Sequence, residues 1–137
     1  MGHRVPNHKN KCRHPHGHRY RLELTLKGEL RRDPGSSDEG MVLDFGDIKE
    51  IMTQCIHDKL DHAFMIYEHD QLFAPFASQH QEELSFIRVP FIPTAENIIQ
   101  WCYRELRHNI PDGVLISRLR LYETPNSWAD FHPESQI

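Results

Sequence analysis

Apolar positions along the chain follow two different periods. Residues 18–30 alternate, with Tyr20, Leu22, Leu24 and Leu26 on one side and Arg19, Arg21, Glu23, Thr25 and Lys27 on the other. A period of two with one apolar face predicts a half-buried antiparallel strand. Residues 31–40, RRDPGSSDEG, are a polar turn region. Met41 to Phe45 forms a short extended entry, after which Asp44 or Asp47 caps a helix running to about Leu60. Its inward face, Ile48, Ile51, Met52, Cys55 and Ile56, follows the three-and-four spacing of a helix.

Residues 61–92 hold no sustained period and are predicted to be a long connection with a short helix near 69–78. Thr94 then caps a second helix to about His108, with Ile98, Ile99, Cys102 and Leu106 inward. Pro111-Asp112-Gly113 is a turn, and residues 114–123 form a strand with Leu115, Leu119 and Leu121 on one face. A last short strand is expected around Ser127–Phe131. Strand, helix, helix, strand, strand points to an α+β sheet with helices packed on one face.

With 137 residues and no interdomain linker or repeat, the chain is expected to form a single domain over 1–137. No apolar run reaches the roughly 18 residues of a membrane helix, and no signal-peptide pattern opens the chain, so a cytoplasmic location and no membrane partner are expected. The formal charge of −4 excludes a general attraction to nucleic acid. Positive charge is nevertheless crowded at one end, in Arg4, Lys9, Lys11, Arg13, Arg19 and Arg21. Such a patch suits a small polyanion better than a duplex, the alternative being a solvated basic face.

Three cysteines leave one unpaired in any disulfide scheme. Cys55 and Cys102 lie on the apolar stripes of the two helices and read as buried thiols. Cys12 sits among His, Lys and Arg, a setting that favours the thiolate. It opens the run Cys12-Arg13-His14-Pro15-His16-Gly17-His18. On an extended backbone His16 and His18 point to the same side, so their imidazoles can share one metal ion. They also share parity with Tyr20 and Leu22, on the apolar face, where an unpartnered imidazole would cost free energy. Gly17 between them permits close approach of backbone or ligand. Surface or satisfied core histidines, or a structural Cys/His zinc site, would produce a similar run.

Glu123 ends the strand whose inward set is Leu115, Leu119 and Leu121, and parity places its carboxylate on the core side. A buried carboxylate needs a partner: either a protein cation or a ligand with a fork of N–H donors, such as a pterin or guanine edge. Asp61-His62 follows a helix C-terminus, and a carboxylate beside an imidazole can tune it for acid/base work. The same position would also favour a protonated histidine for purely electrostatic reasons.

Several motifs then fit one family together. They are Gly2-His3-Arg4-Val5-Pro6, the Cys12 to His18 run, Gly40-Met41-Val42-Leu43-Asp44-Phe45, Leu60-Asp61-His62, Pro93-Thr94-Ala95-Glu96-Asn97 and Tyr122-Glu123-Thr124. In this order the chain resembles the 6-pyruvoyl-tetrahydropterin synthase superfamily over residues 2 to about 131. Three residues between Cys12 and His16 resemble its bacterial 6-carboxytetrahydropterin synthase branch.

The resemblance implies a tunnelling fold, with a four-stranded antiparallel sheet and two helices per subunit, assembled as a homohexamer of two stacked trimers. This chain starts almost at the first zinc histidine, so the sheet's first strand is expected to be missing or truncated. Residues 18–30 would then form an open edge, and His3 would lie on a fraying terminus. His14-Pro15 also departs from the family pattern, an apolar residue being usual before the His-Gly-His.

The resemblance further implies zinc on His3, His16 and His18, with Glu123 and Thr94 binding the pterin. It makes Cys12 the proton-abstracting thiolate and the Asp61–His62 pair a second acid/base. The implied reaction converts 7,8-dihydroneopterin triphosphate into 6-carboxy-5,6,7,8-tetrahydropterin, acetaldehyde and triphosphate, in queuosine biosynthesis. A pyruvoyl-forming synthase or another pterin side-chain enzyme is the alternative. A non-enzymatic zinc-stabilised module, with Cys12 as fourth ligand, is a third reading.

Overall fold

The structure, a computed structural model, describes residues 1–136. In chain order its elements are β1 (Gly2–His3), β2 (His16–Gly17), β3 (Arg21–Gly28), α1 (Phe45–Met52), α2 (Asp58–Leu60), β4 (Phe64–Tyr67), α3 (Phe73–His80), β5 (Phe86–Val89), α4 (Ala95–Arg107), β6 (Val114–Thr124) and β7 (Ser127–Phe131). A π-helical turn, Thr53–His57, joins α1 to α2, so residues 45–60 make one continuous helical segment.

The α+β class holds, with helices and sheet sharing one core. Ile98, Ile99, Cys102 and Leu106 of α4 pack with Ile116, Leu119 and Leu121 of β6 and with Phe131 of β7. The two predicted caps are formed. Asp44 accepts from the Gly46 N–H at the start of α1, and Thr94 accepts from the Asn97 N–H at the start of α4.

The expected four-stranded antiparallel sheet without its first strand leaves three strands, and three antiparallel strands are present beside a second, unexpected sheet. β3, β6 and β7 form a three-stranded antiparallel sheet in that order, leaving β3 at an edge. A second sheet has the order β2-β1-β4-β5 and includes parallel pairing of β1 with β4 and of β4 with β5. The predicted connection 61–92 is therefore mostly regular: two strands flanking a third helix, α3. Phe64-Met65-Ile66-Tyr67 is apolar throughout and interior to its sheet, so both faces are covered and no alternation appears.

Parity also fails at one end of β6. The pairing of β6 with β3 slips between Thr25 and Leu26, so Thr25 faces Arg118 while Leu26 faces Ile116. The extra residue, Ser117, reverses the faces before it. Leu115 is exposed and Ile116 buried, the reverse of the expectation for that position, while Leu119 and Leu121 are buried as expected.

His3 is held in the second sheet rather than frayed. β1 pairs with β2 on one side and β4 on the other, and His3 is buried. The close approach assigned to Gly17 occurs at its partner instead. A Cβ on Gly2 would lie 2.6 Å from Phe64 Cδ2, whereas one on Gly17 would meet nothing closer than 3.4 Å. No helix among the described residues is long and apolar enough to cross a membrane.

Candidate metal centre

β1 and β2 lie antiparallel with His3 opposite His16, which places their imidazoles side by side. His18 follows two residues later on the same side, as the extended backbone requires. A ligand nitrogen from each of His3, His16 and His18 lies within 4.8 Å of the other two. Tyr20 continues the face and sets its ring edge-on to His3 and His18.

Hydrogen bonds fix two of the tautomers. His3 Nδ1 donates to the Pro93 carbonyl at 2.7 Å, and His16 Nδ1 donates to the His14 carbonyl at 2.7 Å. A carbonyl can only accept, so both neutral rings carry their proton on Nδ1 and present a bare lone pair at Nε2. Those two Nε2 atoms are 3.1 Å apart. Two lone pairs at that distance repel, and the contact becomes favourable only with a cation shared between them. A third imidazole at the same point makes a metal ion the fitting cation, with Nδ1–H···O=C contacts supplying the usual outer support of a metal-bound histidine. Tetrahedral zinc on three histidines would keep a fourth position for a ligand.

Electrostatics favour the neutral, ligating form of His3 and of His18. Burial pushes the His3 pKa down from the ordinary 6.5 to about 4, the Pro93 hydrogen bond opposing and the neighbouring histidines adding to the shift. His18 is lowered too, first by burial, with Glu123 opposing. For the metal-free protein the sign is definite. The unfolded chain binds a proton on His3 more readily than the fold does, so stability present above about 6.5 is lost as pH falls towards about 4. Denaturant midpoints in chelator should therefore be lower at pH 5 than at pH 7. A pH-independent midpoint would mean that His3 is solvated.

Glu123 faces this cluster. Its Oε2 is 3.7 Å from His18 Nε2, and its side chain is 25% exposed, beyond hydrogen-bond reach but within ion-pair distance. Thr94 sits beside Pro93, whose carbonyl orients His3, and its oxygen serves as the α4 cap. That use leaves the hydroxyl proton free to donate.

Cys12 lies in a 3-10 turn, Lys11–Arg13, whose Cys12 carbonyl accepts from the Val5 N–H. Its thiol is not among the converging ligand atoms, which in the described residues come from the three histidines alone. The surrounding loop, Lys9 to His14, walls a cavity of about 510 Å³. Asp61 and His62 form the expected pair, with Oδ1 2.9 Å from Nδ1. His62 adopts a left-handed backbone, φ 58°, and its side chain is 92% exposed. Asp61 and His18 line one cavity of about 720 Å³, between β3 and the half-buried face of the 45–60 helical segment.

Sequence reasoning missed the groups behind the ligands. The Pro93 and His14 carbonyls have no side-chain signature. The Arg4–Asp70 ion pair, 2.9 Å from Nε to Oδ2, joins residues 66 positions apart. The one local hint is an Asp shortly before a helix: Asp70 accepts from the Leu72 and Phe73 N–H groups where α3 begins.

Known proteins are similar in sequence and in fold. Residues 1–134 match the family described as 6-pyruvoyl tetrahydropterin synthase. A relative from Haemophilus influenzae named 6-carboxy-5,6,7,8-tetrahydropterin synthase is 34% identical over 132 residues, covering 96% of this chain and 91% of the relative. One of the same name from Rickettsia felis is 33% identical, with 94% and 91% covered. Among solved structures, an uncharacterized protein from Wolinella succinogenes is 29% identical with a TM-score of 0.76, covering 96% of this chain and 92% of that one. The 6-pyruvoyl tetrahydropterin synthase of Plasmodium vivax shares the fold at TM-score 0.69 and 19% identity, with 96% and 88% covered. Tunnelling-fold neighbours, the histidine cluster and the match over nearly its whole length agree, and the chain belongs to the 6-pyruvoyl tetrahydropterin synthase family.

Proposed function

We propose that this protein is a zinc-dependent carbon–carbon lyase of the 6-carboxytetrahydropterin synthase type. Its substrate is 7,8-dihydroneopterin triphosphate, and its products are 6-carboxy-5,6,7,8-tetrahydropterin, acetaldehyde and triphosphate, in queuosine and 7-deazapurine biosynthesis. Membership of a pterin-processing family and relatives bearing the 6-carboxy name support the substrate class. The observation that carries the reading is the pair of bare Nε2 atoms 3.1 Å apart, with a third imidazole and a carboxylate beside them.

Zinc held by His3, His16 and His18 would supply Lewis-acid polarisation of the substrate's side-chain oxygens, with a coordination position open to them. Glu123 accepts the 2-amino and ring N–H donors of the pterin, aided by the Thr94 hydroxyl. Cys12, as thiolate in a basic loop, takes the side-chain proton. Asp61 orients His62, which acts as the second acid/base. Lys9, Lys11 and Arg13 beside Cys12 carry positive charge suited to the triphosphate.

The exposure of His62 and the open edge of β3 favour a site completed between subunits, consistent with a homohexamer of two trimers in the cytoplasm. Native mass spectrometry tests the assembly. A histidine-only ligand cluster with Cys12 outside it favours an open catalytic site over a closed structural one.

The decisive assay incubates the zinc-loaded protein with dihydroneopterin triphosphate and identifies products by mass spectrometry. Acetaldehyde and the 6-carboxy pterin are expected. A 6-pyruvoyl product would assign the sister chemistry, and no product from protein with full zinc occupancy would overturn the lyase reading.

A further inference from the structure

His3 is the most demanding of the three candidate ligands. It lies in a strand of only two residues, yet it is buried and must hold its ring to within a fraction of an ångström. Two side-chain contacts flank the backbone ladder that carries it. His3 itself reaches the turn before α4 through Pro93. The next residue, Arg4, reaches the turn before α3.

The second contact is built in depth. The Asp70 side chain is 2% exposed and that of Arg4 13%. Asp70 Oδ1 accepts from the Leu72 and Phe73 N–H groups at 3.0 and 3.2 Å, which fixes the carboxylate on the first turn of α3. Its other oxygen, Oδ2, lies 2.9 Å from Arg4 Nε. The two are close but off the hydrogen-bond axis, so the attraction is that of opposite charges in contact. The guanidinium also lies 5.1 Å from the centre of the Phe73 ring, a cation–π contact that sets where Arg4 sits on α3. Buried charges of this kind tolerate little displacement, because separating them leaves each uncompensated.

We propose that Arg4 and Asp70 are a positioning pair that holds His3 at the metal. The pair touches neither metal nor substrate, and acts by tying the Gly2-His3-Arg4 segment to α3 while Pro93 ties it to α4. The inference rests on the three-imidazole reading of the site.

The test measures zinc affinity by chelator competition and the visible spectrum of the cobalt-substituted protein. The variants are D70N, R4Q and R4K, with H3A as the two-histidine reference. Asn at 70 can keep accepting from the Leu72 and Phe73 N–H groups while removing the charge. L106A, in the α4 core, controls for lost stability. D70N and R4Q are expected to bind zinc about tenfold or more weakly, the scale of losing an outer support of a ligand. Their cobalt spectra should shift towards that of H3A. R4K, which keeps the charge but not the planar group, should fall between wild type and R4Q. L106A should melt earlier and bind zinc as wild type does.

Wild-type affinity and spectrum in D70N and R4Q would overturn the proposal, however far their melting temperatures fall. If neither folds, wild-type affinity in R4K overturns it. A wild-type protein that binds no stoichiometric zinc would instead defeat the metal reading itself.

Discussion

His16→Ala is expected to remove both metal and turnover. His16 supplies one of the two lone pairs that meet 3.1 Å apart, and its Nδ1 is already committed to the His14 carbonyl. Two imidazoles cannot replace three, so the loss of zinc affinity should exceed the about 10–100-fold that follows removal of an outer-shell partner. Stability separates this from simple damage. In metal-free protein the substitution relieves the contact between His3 and His16, and the variant should be no less stable than metal-free wild type. Added zinc should raise the melting temperature of wild type and leave that of the variant nearly unchanged. Differential scanning fluorimetry with and without zinc checks both. A variant that zinc stabilises as strongly as wild type would show that His16 is not a ligand.

Cys12→Ala is expected to have the opposite signature: metal retained, chemistry lost. The thiol is not among the converging ligand atoms, and it lies in a loop flanked by Lys11 and Arg13. Loss of a proton-transfer group should lower kcat by about 10²–10⁴-fold with zinc content unchanged. Steady-state kinetics and metal analysis on the same preparation decide it. Zinc lost together with activity would make Cys12 a ligand and the site a closed one.

Where sequence and structure agree, one local rule decides each element. Thr94 is a good cap three residues before Asn97, and the spacing of Ile98, Ile99, Cys102 and Leu106 leaves α4 a single face to bury. The alternation from Tyr20 to Leu26 is sustained long enough to identify β3, and His16, Gly17 and His18 continue its parity into the metal cluster.

Long-range pairing is what the chain order concealed. β4 is interior to its sheet, and its unbroken apolar run carries no period to read. The slip between Thr25 and Leu26 leaves no local trace, because Leu115 and Ile116 are both apolar and either could face the core. Glu123 lies beyond that slip, at a second irregularity between Tyr122 and Thr124, and its carboxylate faces His18. The apolar face of the 45–60 segment was identified correctly, yet only Ile56 is fully buried, because that face borders the large cavity shared by His18 and Asp61. His3 needed a pairing partner thirteen residues away and a carbonyl ninety residues away, neither visible in its own neighbourhood.

X-ray absorption at the zinc edge of the purified, zinc-loaded protein bears most directly on the three-imidazole centre. Three imidazole nitrogens at about 2.0–2.1 Å are expected, with an oxygen ligand completing the shell and no sulfur. A zinc–sulfur shell at about 2.3 Å, or a shell with fewer than three imidazoles, would contradict it.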